Sequence, residues 1–217
     1  WKFQGGTDAT ARDARAFTFF VDAFDAELLE ARSEIYTADV PTNGSGLATP
    51  GTAADTPGNQ PVLTPLENLI VVNGDTSETA STDENGDAVV PNTGGPSMPN
   101  ISASLGDGIW VDINNEVGST LFESAALSEG SGGQLTFNQS PNEFDTAQVN
   151  TFVNVNRIHD FMNTYAPALT AIDIALDANV NINDSCNAFF SGFDLTINFF
   201  TSGSGCNNTA FSSVVIH

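Results

Sequence analysis

Apolar and polar positions change their period several times along the chain. Residues 16–36 open Ala-Phe-Thr-Phe-Phe-Val, aromatic and β-branched, and go on to Leu28, Leu29, Ile35 and Tyr36 among charges. A turn near Asp22–Ala26 joins the two halves as a hairpin. A helix through Ala23–Ile35 is the competitor, because Ala, Glu, Leu and Arg are good helix formers. Pro41, Gly44, Gly46, Pro50, Pro57 and Pro61 follow with hardly an apolar pair between them. Such a stretch cannot repay its ordering entropy with a core of its own, so residues 39–62 read as a linker.

Short strand-like runs then alternate with Gly/Asn/Asp turns. They are centred on Leu66–Asn73, Ser77–Thr82, Ala88–Pro91, Ser102–Leu105, Ile109–Asn114, Thr120–Phe122 and Gln134–Asn138. This spacing predicts a small β sandwich over 63–140, with Trp110 as its core anchor. From Phe144 the period lengthens. Phe144, Val149, Phe152, Val155, His159 and Met162 sample 3.6 residues per turn, Asp145 or Thr146 caps the start, and Pro167 stops the helix. Short apolar segments at Ile172–Leu176 and Val180–Asn183 come next. Two strands around a Ser191-Gly192 turn follow, and then a last helix capped by Asn207 or Asn208 that runs to His217. The expected class is mostly β with a few helices, an α+β chain.

Composition narrows the partners. With 5 Lys+Arg against 27 Asp+Glu in 217 residues, the formal net charge is −22. So few cations cannot neutralise a run of phosphates, which excludes nucleic-acid binding. Anionic membrane surfaces repel such a chain, and no apolar run reaches the eighteen or so residues that span a bilayer. The acidity fits a secreted protein of a saline environment. The chain opens Trp-Lys-Phe-Gln-Gly-Gly and closes inside an apolar run at Ser-Ser-Val-Val-Ile-His. Both ends read as cut from a longer polypeptide.

Cys186 and Cys206 are the two cysteines and form the obvious pair, with two free thiols as the alternative. Bridging them closes a loop worth roughly 3 kcal/mol in the chain-entropy estimate and implies an oxidising compartment. His159 is followed by Asp160, but neighbours on a helix point about 100° apart, so a structural histidine is favoured over a catalytic His-Asp pair. Neither a Gly-x-Ser-x-Gly elbow nor a Gly-rich loop ending in Lys is present. Asp83, Asn85 and Asp87 offer alternate oxygens, as a weak calcium loop does. A β-turn at Asn85-Gly86 explains the same letters, and the bidentate Glu of a calcium loop is missing. His217 closes an apolar helix reached through a strand and the cysteine turn, a setting in which a metal-binding histidine can be held.

Three segments in order carry a resemblance. They are Asn156-Arg-Ile-His-Asp-Phe in the long helix, Ser185-Cys-Asn-Ala-Phe-Phe-Ser-Gly before Leu195-Thr-Ile-Asn-Phe-Phe, and Gly205-Cys-Asn-Asn-Thr-Ala-Phe-Ser-Ser-Val-Val-Ile-His. Over roughly 142–217 the chain resembles secreted zinc metallopeptidases of the fungalysin and thermolysin-like group. Upstream, Val21-Asp-Ala-Phe-Asp-Ala-Glu resembles the end of their propeptide, with Ala26 where a Gly is typical. Residues 63–140 are similar to an immunoglobulin-like or regulatory β module.

The resemblance implies a propeptide-like hairpin over 1–38 and, over 141–217, an incomplete catalytic domain that begins the β-rich part of a thermolysin-like lobe. His217 becomes the first zinc ligand of an H-E-x-x-H helix. Asn187, Ala188 and Phe190 become the edge strand that lines the substrate cleft, where an extended peptide supplies its own backbone hydrogen bonds. The general-base Glu and the remaining ligands would follow His217, so these 217 residues alone are expected to be inert.

Two functions follow. One is the N-terminal portion of a secreted, extracellular zinc endopeptidase, with a peptide or protein substrate and zinc in the intact parent. The other is a non-catalytic structural or adhesive extracellular protein on the same scaffold. It would associate with the C-terminal remainder or with itself through exposed strand edges.

Overall fold

The computed structural model describes residues 2–6, 16–33, 39–93, 95, 98–128 and 130–217. Among them four sheets and two α-helices make a mixed α+β fold. The first sheet is antiparallel, in the order β1 (Lys2–Gly6), β2 (Ala16–Val21), β3 (Leu28–Ser33). The expected hairpin is therefore present, and the competing helix is not formed over the described residues; positions 34–36 of the expectation lie outside them. Local carboxylates build its turn. Asp22 Oδ1 accepts from Phe24 N at 2.7 Å, Asp25 Oδ1 accepts from Glu27 N at 3.0 Å, and Asp22 N donates to Glu27 O at 2.8 Å.

The segment read as a linker holds the main correction. Residues Val40–Ala48 form β4, a nine-residue strand with partners on both edges. It runs parallel to β12 (Gly133–Phe137) on one side and antiparallel to β5 (Val62–Pro65) and β8 (Asp87–Val90) on the other. Val40, Thr42, Gly44, Gly46 and Ala48 alternate on the buried face. A Cβ at Gly44 would sit 2.7 Å from Leu69 Cδ2, and one at Gly46 would sit 2.8 Å from Val149 Cγ1. Neighbours fill the space where side chains would be, so the strand is buried without any apolar run of its own.

A third sheet is antiparallel throughout, in the order β11 (Phe122–Ala126), β9 (Asn100–Gly108), β6 (Leu69–Asn73), β7 (Thr79–Ser81). The fourth places β10 (Val111–Asn115), β13 (Leu176–Ile182) and β15 (Thr196–Phe200) in parallel, with β14 (Ala188–Ser191) antiparallel at the end of the order. One cluster of buried residues runs through these elements, including Val40, Leu69, Ile101, Phe152, Val180 and Phe199. The core is thus continuous between residues on either side of position 140. Trp110 does not anchor it. Its ring is half-buried, and Leu69, Val71, Ile101, Leu105 and Leu135 take the fully buried places.

Helix α1 (Glu143–Tyr165) has its cap earlier than the sequence reading put it. Asn142 Oδ1 accepts from Phe144 N at 3.0 Å and Asp145 N at 3.1 Å, while Asp145 sits in the first turn and takes the Asn142 amide at 2.6 Å. Pro167 follows the C-cap Ala166, as its lost N–H requires. The helix buries polar side chains as well as apolar ones, and two of them reach distant segments. Gln148 Oε1 takes the Leu121 N–H at 2.8 Å, and Asn150 Nδ2 donates to Ala210 O at 3.0 Å. Helix α2 (Ser212–Val215) is a single turn whose cap position is Phe211. Asn208, expected as the cap, instead gives its amide to Asn181 Oδ1 at 2.9 Å and Glu143 Oε1 at 3.2 Å. No helix among the described residues is long and apolar enough to cross a membrane.

Candidate functional site

The cysteines are joined: Cys186 and Cys206 form a disulfide with Cα atoms 5.3 Å apart. It ties the residue that enters β14 to the segment that leaves β15 for α2. Thr209 sits beside it. The Thr209 hydroxyl donates to Asn187 O at 3.0 Å, and Phe200 N donates to that hydroxyl at 2.8 Å. The start of β14 is therefore held by a covalent bond and a threonine bridge. These fix an edge strand more firmly than its single ladder with β15 would.

Along β14 the side chains alternate. Ala188 and Phe190 lie opposite Phe199 and Ile197 of β15, on the face that packs towards α1. Phe189 faces the other way and meets the Phe200 ring edge-on, centroids 6.0 Å apart. The outer edge of β14 carries no further strand among the described residues, and Asn187 is exposed at its beginning. The strand thus offers what peptide addition needs: a backbone edge with one ladder unpaired and side chains on both faces.

Phe190 also borders an apolar cavity of about 320 Å³. Trp110, Val155, Met162, Ile174 and Leu195 complete most of its wall, and His159 lies in it. The imidazole stacks on Trp110 with ring centroids 3.9 Å apart and planes inclined by 16°. Its Nε2 is 3.2 Å from Asp173 Oδ1 and its Nδ1 is 3.5 Å from Asp160 Oδ1. Asp160, the neighbour in sequence, is the weaker partner. Asp173 is 14 positions away on another segment, and nothing in the local pattern marks it. With a carboxylate at each nitrogen the ring has no nitrogen left for a substrate, which is a structural arrangement rather than that of a general base.

His217 lies exposed just beyond α2. Among the described residues no three His, Cys, Asp or Glu side chains come together as a metal site. A zinc centre takes at least three protein ligands. The Asp83–Asp87 oxygens are used locally. Asp83 Oδ1 accepts the N–H groups of Asn85 and Asp87 at 2.8 and 2.9 Å, and Asp87 Oδ1 accepts Asn43 Nδ2 at 2.8 Å. These backbone bonds hold the Asp83 carboxyl below its ordinary range. Gly86, at φ 78°, completes the turn.

A second, polar cavity of about 180 Å³ has no counterpart in the sequence reading. Asp55 and Glu143 both line it. Partial burial pushes the Glu143 carboxyl up, but hydrogen bonds from Ser202 N and Oγ, each 2.7 Å, and from Asn208 bring it below the ordinary value. Asp55 lacks such donors, and burial followed by the Glu143 charge raises it. No family model, no curated protein and no solved structure matches this chain.

Proposed function

We propose that the chain is the N-terminal portion of a secreted zinc-dependent endopeptidase of the fungalysin and thermolysin-like kind, in which Asn187, Ala188 and Phe190 hold an extended peptide. One observation carries this reading. Ala188–Ser191 is an edge strand with Asn187 just before it, and a disulfide fastens its approach to the stretch that runs into the helix before His217. Edge addition gives a peptide main-chain hydrogen bonds, and the alternating side chains of β14 supply selectivity. Asn187 would meet a substrate carbonyl, and Phe190 would form an apolar wall. A zinc in the intact parent would supply an activated water, with His217 as one ligand and the others from chain after it. In this reading residues 63–140 are an immunoglobulin-like module, residues 16–33 belong to a propeptide remnant, and the protein is extracellular. The disulfide and the excess of acidic residues favour that location.

The test is the intact mass and zinc content of the native protein, joined to the coding sequence after His217. The expected result is a longer chain with an H-E-x-x-H helix, about one zinc per chain, and peptide hydrolysis that His217→Ala abolishes. A chain no heavier than these 217 residues and free of zinc, or a continuation without the motif, overturns the enzyme reading. It would leave the non-catalytic, self-associating scaffold in its place.

A further inference from the structure

The segment between α1 and β13 lies on the surface, and its own hydrogen bonds are local. Leu169 N bonds to Ala166 O, Ile172 N to Leu169 O, and Asp173 N to Thr170 O. What ties its middle to α1 is the contact of Asp173 with His159 at 3.2 Å. Ile172 and Ile174, on either side of Asp173, both line the apolar cavity. Anything that loosens Asp173 therefore loosens one wall of that cavity.

The imidazole of His159 is 5% exposed, and each of its nitrogens faces a carboxylate oxygen, Asp173 at Nε2 and Asp160 at Nδ1. A neutral ring has one N–H and one lone pair. Whichever tautomer it adopts, a lone pair then points at an oxygen lone pair. Only the imidazolium, with two N–H groups, satisfies both sides, and each bond is then charge-assisted. We propose that His159 is a proton-operated clasp: protonated, it holds residues 167–175 against α1 through charge-assisted bonds and closes one wall of the apolar cavity; neutral, it keeps at most the uncharged Nε2–H bond to Asp173 and loosens them.

The charged groups around the clasp are mostly acidic. On α1 these are Asp160 itself and Arg157, whose Nη1 lies 3.5 Å from Asn154 Oδ1. On the released segment it is Asp173. Between β5 and β6, Glu67 contacts Asp160, and burial followed by the Asp160 charge raises its carboxyl, with Glu84 and Asp83 adding to the effect. The acids of β10 and β13, Asp112 and Asp177, face each other across the ladder, and Asp112 accepts the Gly108 N–H at 3.0 Å. The clasp holds while the ring carries its second proton and loosens when that proton is lost.

The stacked Trp110 reports the state of the ring. The chain has 2 Trp, so Trp1→Phe leaves Trp110 as the sole tryptophan, excited apart from the 2 Tyr at the red edge of the absorption band. An imidazolium against an indole quenches it. In a scan from about pH 5 to about pH 8, emission of these 217 residues with that one change should rise in one step, and His159→Gln should remove the step. Amides 169–173 should exchange about tenfold faster, beyond the intrinsic pH effect, above the step than below it. In Asp173→Asn they should be fast on both sides. Nitrogen-detected spectra of the unmutated His159 ring should show both nitrogens protonated below the step, a readout that does not depend on any variant folding. An emission step that persists in His159→Gln, exchange below the step that is the same in Asp173→Asn and the parent, or a singly protonated ring throughout the range would each overturn the clasp.

Discussion

Asn150 and Thr49, 101 positions apart, satisfy one another: Thr49 N donates to Asn150 Oδ1 at 2.7 Å, and Asn150 Nδ2 donates to Thr49 Oγ1 at 3.1 Å. The same amide reaches Ala210 O at 3.0 Å. One buried side chain of α1 thus joins the end of β4 to the approach to α2. Asn150→Ala would strand the Thr49 N–H and the Ala210 carbonyl away from water. Unfolding in urea should show a loss of at least about 2 kcal/mol, because each unsatisfied buried group costs about 1–3 kcal/mol. A loss within error of zero would mean that water reaches this junction.

Gly46 tests whether β4 is packed as described. Its missing Cβ would lie 2.8 Å from the stiff, β-branched Val149. Gly46→Ala should cost about 1–3 kcal/mol as an overpacked site, and Val149→Ala in the same chain should recover part of that loss. Thermal unfolding of the two variants and the double variant gives the coupling directly.

Ala26 stands at φ 63° in the turn between β2 and β3. A β-carbon in the left-handed region costs roughly 1–2 kcal/mol, so Ala26→Gly should strengthen this hairpin by about 1 kcal/mol after the added backbone entropy is discounted. Slower exchange of the Asp22 amide, which bonds to Glu27 O, is the local readout.

The two carboxyls of the polar cavity should respond to pH with opposite signs. Glu143 is held below its ordinary value of 4.5, so its contribution is present above that value and is lost as pH falls through the lowered one. Asp55 is raised above 3.8, so its ionisation penalises the fold increasingly as pH rises from there. Glu143→Gln should destabilise at neutral pH and converge on the parent in acid. Asp55→Asn should stabilise at neutral pH and also converge in acid. Stability measured from about pH 3 to about pH 7 separates the two.

Removing the disulfide by Cys186→Ser with Cys206→Ser opens a separation of 20 residues and should cost about 3 kcal/mol. The loss should be concentrated in β14, which keeps a single ladder. Amide exchange at Phe189 and Phe190 should rise more than at Ala178 in the buried β13. Equal changes in both strands would show that Thr209, not the disulfide, positions the edge.

Local chemistry made much of this architecture readable. The 3.6-residue period from Phe144 and the proline at 167 mark α1. Asp22 and Asp83 build turns from their own backbone neighbours, and the two cysteines are paired. The candidate edge strand was readable from Asn187 to Phe190 for the same reason, since a turn and two aromatic runs lie within a dozen residues. Its outer edge and the cavity beside Phe190 were not.

What only the tertiary structure decided concerns residues whose partners are remote. Gly44 and Gly46 read as linker because a glycine has no side chain to show that Leu69 and Val149 lie against it. Asn142, Asn150 and Asn208 look interchangeable along the chain, yet they cap a helix, bridge three segments and anchor Glu143. His159 carries its neighbour Asp160 in the sequence, but its closer partner is Asp173. Periods, caps and turns act over a few residues and leave their mark in order. Close approach, buried amide pairing and the partner of an imidazole depend on which distant surfaces the packed core brings together.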